Sequence, residues 1–250
     1  MQKLLLPVAL LQVLVPLLPV FGIGQSIGAR ATQGNIPPEL PPGVFFAIWS
    51  IIFGLYIWLA IIALIGKSYT LRQVAGPLVI AGMGNVIWML SRQMLGIEWL
   101  ELLILLIVVY GSWLAAYRVD RIGGWDGTFF RLGVCALVGL LAGWASVAVS
   151  ISIPGIVRDV SSLNPTDSVW ISLWCALVPA TLMAWAFASR ISHSGWYFVA
   201  LGWGLLGIVD NNLTRTGTHG LGIAAACVGL YIIWRRIRFG ASGSATPATI

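Results

Sequence analysis

Leu132-Gly-Val-Cys-Ala-Leu-Val-Gly-Leu-Leu-Ala-Gly-Trp-Ala-Ser-Val-Ala-Val-Ser-Ile-Ser-Ile153 contains no charged residue. As a helix, this stretch covers the ~30 Å hydrocarbon core of a bilayer. It lacks the period-two alternation of a barrel strand and is too long for one. Seven further runs of the same kind surround it, so the eight predicted spans are 4–23, 44–66, 74–90, 98–117, 132–153, 168–189, 196–212 and 219–234. Prolines 37, 38, 41 and 42 punctuate the loop after the first run. Glycines 123, 124 and 127 mark the loop before the fifth, and Asn164-Pro165 the loop before the sixth. The Gly-, Ser-, Ala- and Thr-rich tail 240–250 reads as disordered.

Composition agrees. Apolar residues make up 59% of the 250 and charged residues 9%, against roughly a quarter charged in soluble domains. The net charge of +6 comes from basic residues set singly or in short groups between apolar runs. That pattern belongs to membrane topology and argues against nucleic acid as a partner. With the amino terminus inside, inner segments hold ten basic residues: Lys3, Lys67, Arg72, Arg118, Arg121, Arg131, Arg190, Arg235, Arg236 and Arg238. Outer loops hold Arg30, Arg92, Arg158 and Arg215. This bias predicts a multi-pass protein of a bacterial inner membrane with both termini cytoplasmic. Lys3 and Ala29-Arg30-Ala31 resemble parts of a signal peptide, but the first apolar run exceeds the usual seven to fifteen residues. The first helix is therefore expected to be retained.

Chemistry-bearing residues are few. Cys135, Cys175 and Cys227 lie in apolar runs without metal spacing, and neither a disulfide nor a metal site is expected. His193 and His219 fall near opposite membrane faces, which disfavours a shared haem. No catalytic triad, phosphate loop or zinc motif is present, so an enzyme is not expected. Glu98 and Glu101 lie one turn apart. They read as an acidic first turn beside Arg92, or as a carboxylate pair handling protons or cations. Asp210, Asn211 and Asn212 read first as a helix end at the water interface, and otherwise as a binding site. Asn85, inside the third run, either joins two helices or faces a cavity. Gly139 and Gly143 have the small-xxx-small spacing of close helix contacts.

Tryptophan is the unusual feature, with 13 copies. Trp99, Trp125, Trp170, Trp196 and Trp234 suit an interfacial belt. Trp49, Trp88 and Trp144 fall in the outer halves of their helices. They either pack the bundle or line one cavity for a flat aromatic ligand.

Three motifs carry a family resemblance. Residues 41–53 read Pro-Pro-Gly-Val-Phe-Phe-Ala-Ile-Trp-Ser-Ile-Ile-Phe. Asn85-Val86-Ile87-Trp88 lies on the third run and Trp144-Ala145-Ser146 on the fifth. Together they resemble the TspO/MBR family of tryptophan-rich sensory proteins, in its divergent bacterial branch. The resemblance covers roughly 1–153. It departs at Gly43 and Val44, where a tryptophan would follow the double proline, and at Ser152, where an asparagine would stand. It implies an all-α membrane bundle with a TspO-like five-helix unit (1–153), a three-helix extension (154–238) and a tail (239–250). It also implies a small-molecule binding or sensory role, with a tetrapyrrole such as porphyrin or haem, or another flat lipophilic molecule, as ligand. Trp49, Trp88 and Trp144 would stack on that ligand and Asn85 would hydrogen-bond it. The alternatives are a transporter or permease, or a structural or assembly subunit of a larger membrane complex. Lipid is the constant partner, and a homodimer is a further form of assembly.

Overall fold

The computed structural model describes residues 1–27, 36–66, 68–125, 127–163 and 169–239, with 235–239 as backbone only. Ala29-Arg30-Ala31, Asn164-Pro165 and the 240–250 tail lie outside them. The described chain is all-helical, with no strand. In chain order the helices are α1 (Leu5–Leu14), α2 (Ile48–Ile65), α3 (Tyr69–Met94), α4 (Glu98–Val119), α5 (Thr128–Ser161), α6 (Val169–Ala186), α7 (Gly195–Thr214) and α8 (His219–Phe239). Short 3₁₀ segments extend α1 at both ends, another leads into α2 (Gly43–Ala47), and a π turn ends α6 (Phe187–Ile191).

Six helical segments are long and apolar enough to cross a membrane: Gln2–Phe21, Gly43–Ile65, Tyr69–Met94, Glu98–Val119, Thr128–Ser161 and Val169–Ile191. This is the make-up of a multi-pass membrane protein. The two remaining helices stand apart from these six. α7 carries Asp210, Asn211 and Asn212 in its last turns, and among the residues with described side chains α8 offers the apolar stretch His219–Trp234.

The packing forms two rings that share one wall. α1 packs on α2 and α3, α3 on α4, α4 on α5, and α5 back on α2. α5 also packs on α6 and α7, and both of these on α8. The shared helix has no solvent-facing stripe, and residues 136–150 are buried without a break. A helix that is apolar all round belongs inside a bundle. α5 has 34 residues, about 51 Å at 1.5 Å per residue. It therefore outruns a ~30 Å bilayer core and continues past 153, where the apolar run ends, to Ser161. The division drawn at 153/154 thus falls inside a helix.

Local chemistry explains the ends and the bends. The Ser68 hydroxyl accepts from the Leu71 amide at 3.1 Å and caps α3. Pro77 inside α3 has no N–H to offer the carbonyl four residues earlier. That carbonyl, of Gln73, accepts instead from Arg118 of α4 at 2.8 Å. In α1, Pro16 and Pro19 lie in the segment that tightens to a 3₁₀ helix, which ends at Gly22 in the left-handed region (φ +77°).

Gly139 and Gly143 are the contact between the rings. A Cβ at Gly143 would stand 2.3 Å from the Tyr197 carbonyl oxygen and 2.9 Å from the Ala200 Cβ. Gly143→Val is expected to push α7 off α5 and to lower stability by about 1–3 kcal/mol. Thermal unfolding in detergent checks this, with Gly123→Val as control because nothing lies within 4 Å there.

Candidate ligand cavity

Three helices of the first ring each deliver one indole to the same place. Trp49 lies in the first turn of α2, Trp88 near the end of α3 and Trp144 midway along α5. The Trp49 ring lies 6.2 Å from Trp88 at 29°, and 6.5 Å from Trp144 at 88°. Phe53 stacks on Trp49 at 5.4 Å, and Phe46 meets Trp144 edge-on at 5.7 Å. Offset and edge-to-face pairs of this kind are favourable in any core. Here they leave space. A small lobe of about 120 Å³ lies against Trp49, Trp88 and Trp144. A larger one of about 480 Å³ shares Phe46, Trp49 and Trp88 with it. Pro37 and Leu40 line the small lobe from the Pro-rich loop, and Leu40 and Pro41 line the large one.

That loop is held down by the second ring. Prolines contribute carbonyls but no N–H groups, so the segment cannot satisfy all of its own acceptors. α7 supplies the donors. The Asn211 amide donates to the Pro37 carbonyl at 3.0 Å and the Asn212 amide to the Pro38 carbonyl at 2.6 Å. The Trp203 indole donates to the Phe45 carbonyl at 2.7 Å. A Cβ at Gly207 would lie 2.6 Å from Pro41, so the glycine lets the loop sit directly on the helix. Asn211 and Asn212 are fully buried. The expected helix end at the water interface is thus a clamp on the loop. Across the bundle, the Gln25 amide donates to the Gln93 carbonyl of α3 at 3.0 Å.

One side of the small lobe is charged, where the roof meets α5 and α6. Arg158 grips Glu39 through both guanidinium nitrogens, and Nη1 also donates to the Ser172 hydroxyl at 2.9 Å. That hydroxyl donates to Glu39 at 2.7 Å. All three residues are buried. Arg92 donates to Glu101 at 2.8 Å. This pair matches the reading of an acidic first turn neighboured by Arg92, and both partners line the lobe. Glu98 lines it too. Arg158, counted as an outer-loop residue on sequence, belongs to the last turns of α5.

Trp49, Trp88 and Trp144 are therefore brought together, and Asn85 is not with them. Asn85 is fully buried and donates to Gln12 of α1 at 3.0 Å. It joins two helices and lines neither lobe. Trp174 is 60% exposed and faces away from the bundle. Glu39 and Ser172 are site residues that the sequence does not predict. The burial of a carboxylate between prolines is the available signal only for Glu39. No family model, no curated protein and no solved structure matches this chain.

Proposed function

We propose that the chain is a small-molecule binding protein of the membrane, taking a flat lipophilic ligand between its tryptophans under the Pro-rich roof. The observation that carries this reading is the convergence of Trp49, Trp88 and Trp144, from three helices, on one cavity. Packing alone does not require a second lobe of about 480 Å³, which lies within the ~300–1,000 Å³ range of small-molecule sites. The motif resemblance to TspO/MBR proteins nominates a tetrapyrrole as the first ligand class, in a sensory or regulatory role.

In this reading all eight helices cross the membrane and both termini lie in the cytoplasm of a bacterial cell. α7 has 20 residues, about 30 Å, enough to span when its polar end lies at the roof. The first ring holds the ligand, and the second ring holds the roof. A transporter is the second reading, favoured by the buried charges that line the cavity, because ionisable groups buried in membrane proteins often mark substrate paths. Flux in proteoliposomes separates the two.

The test is a titration of purified protein with protoporphyrin, followed by tryptophan quenching. Saturable quenching is expected, with Trp88→Ala raising Kd about tenfold through the loss of one aromatic wall. Quenching that does not saturate, or a Kd unchanged in Trp88→Ala, contradicts the proposal.

A further inference from the structure

We infer that the small lobe seats a substituted ammonium group, so that among flat lipophilic ligands the cavity prefers those with a cationic head. This rests on reading the cavity as a ligand site, and it narrows the ligand by charge. Five ionisable side chains line the lobe: Glu39, Arg92, Glu98, Glu101 and Arg158. Four of them form two pairs, Glu39 with Arg158 and Glu101 with Arg92. Glu98 is left over. Its Oε2 is buried and has no hydrogen-bond partner among the described residues. Gly155 permits its approach to α5, since a Cβ there would stand 2.4 Å from that oxygen. Arg92 acts most strongly on Glu98 through its charge, followed by Asp159, Arg158 and Glu39, so the two guanidiniums already engaged in pairs are opposed by two further carboxylates. Among the described residues the lobe therefore holds one carboxylate more than its guanidiniums match. A buried anion without a partner is unfavourable, and an entering cation offsets that.

Two independent features specify the kind of cation. Trp49 and Trp88 lie 29° from parallel, and Trp144 stands at 88° to Trp49. The lobe is thus walled by indoles in more than one orientation, which is how aromatic cages hold ammonium groups through the ring quadrupoles. Size agrees. The lobe, at about 120 Å³, is the smaller of the two and suits a compact methylated ammonium head. The large lobe, walled by Val13, Pro16, Phe53 and Met89, accepts the apolar remainder. Arg215 lines that lobe and not the small one. A ligand whose acid groups would enter the small lobe is disfavoured.

The experiment titrates the purified full chain in detergent with benzyltrimethylammonium and with neopentylbenzene, its uncharged carbon isostere. The cation is expected to bind about tenfold more tightly, and Glu98→Gln to remove that preference without weakening the isostere. Equal binding of the two by the wild-type chain, or a preference that survives Glu98→Gln, overturns the inference. If Glu98→Gln does not fold, the wild-type comparison decides alone. Saturable isostere binding that Trp88→Ala weakens, without a preference for the cation, leaves the cavity reading standing and removes this one. Absence of saturable binding by the cation, the isostere and protoporphyrin removes both. A substituted ammonium belongs either to a free amine or to a lipid head-group. Nanodiscs of phosphatidylcholine and of phosphatidylglycerol distinguish these. Weaker binding of the cation in the choline lipid assigns the site to the head-group, and equal binding assigns it to a free amine.

Discussion

Arg158→Ala is expected to lower stability by about 3–5 kcal/mol, the cost of breaking a buried ion pair from one side. Arg158 is 5% exposed and Glu39 is 2% exposed. Removing the guanidinium leaves a buried carboxylate with only the Ser172 hydroxyl as donor. The damage reaches the roof, because Glu39 is its central residue, between Pro38 and Leu40. Thermal unfolding should show the loss, and hydrogen exchange should quicken at the Leu40 amide, which donates to Pro37 in the same turn. The double variant Glu39→Gln/Arg158→Met should recover much of the stability, since it removes both charges together. An Arg158→Ala protein as stable as the wild type would show that the pair is not formed in the membrane.

Asn212→Ala should loosen the same roof from the other side. Its amide donates to the Pro38 carbonyl at 2.6 Å and to Ile208 at 2.7 Å, and its oxygen accepts from Thr216 at 3.3 Å and from Thr218. One side chain thus joins the roof, its own helix and the turn into α8. Leaving the Pro38 carbonyl buried without this donor costs about 1–3 kcal/mol. Asn211, which also donates to Pro38 at 3.3 Å, compensates in part. The readout is local. Exchange at the Leu40 and Phe45 amides should accelerate, while exchange in α3 and α4 stays unchanged. If ligand entry requires the roof to lift, the variant should also bind and release protoporphyrin faster at similar affinity. Slow exchange retained at Leu40 in Asn212→Ala would refute the clamp.

These two effects lie in the part of the molecule that the sequence discloses least. Periodicity and hydropathy locate helices because each span must satisfy its own backbone in lipid. The helix starts at 98 and 219 agree with the expected ones. Tryptophan positions are legible for a related reason: Trp49, Trp88 and Trp144 all lie in the outer halves of their runs, and closing the first ring brings them together. The Gly139 and Gly143 contact is legible as spacing, though not the identity of its partner, α7.

Pairings across the two rings are not legible. Glu39 and Arg158 are 119 residues apart, and Asn212 and Pro38 are 174 apart. No local rule connects such residues. Arg158 falls in the wrong place on sequence for a specific reason. Hydropathy drops after Ile153, which ends the predicted span, whereas backbone hydrogen bonding carries α5 on to Ser161. Asn85 illustrates the opposite limit. A buried amide needs a partner, but the sequence does not choose between Gln12, 73 residues away, and a ligand.

The role of the last three helices follows from the same geometry. α6 holds the roof through Ser172, which donates to Glu39, and α7 holds it through Trp203, Asn211 and Asn212. The extension acts on the cavity through the loop that it holds.

The most direct test of the central claim is photolabelling with a flat aryl diazirine, with and without excess protoporphyrin, followed by peptide mapping. The account predicts adducts that protoporphyrin displaces, confined to the segments carrying Trp49, Trp88 and Trp144. Labelling that protoporphyrin does not displace there, or adducts spread equally over the outward-facing Trp170 and Trp174, would contradict it.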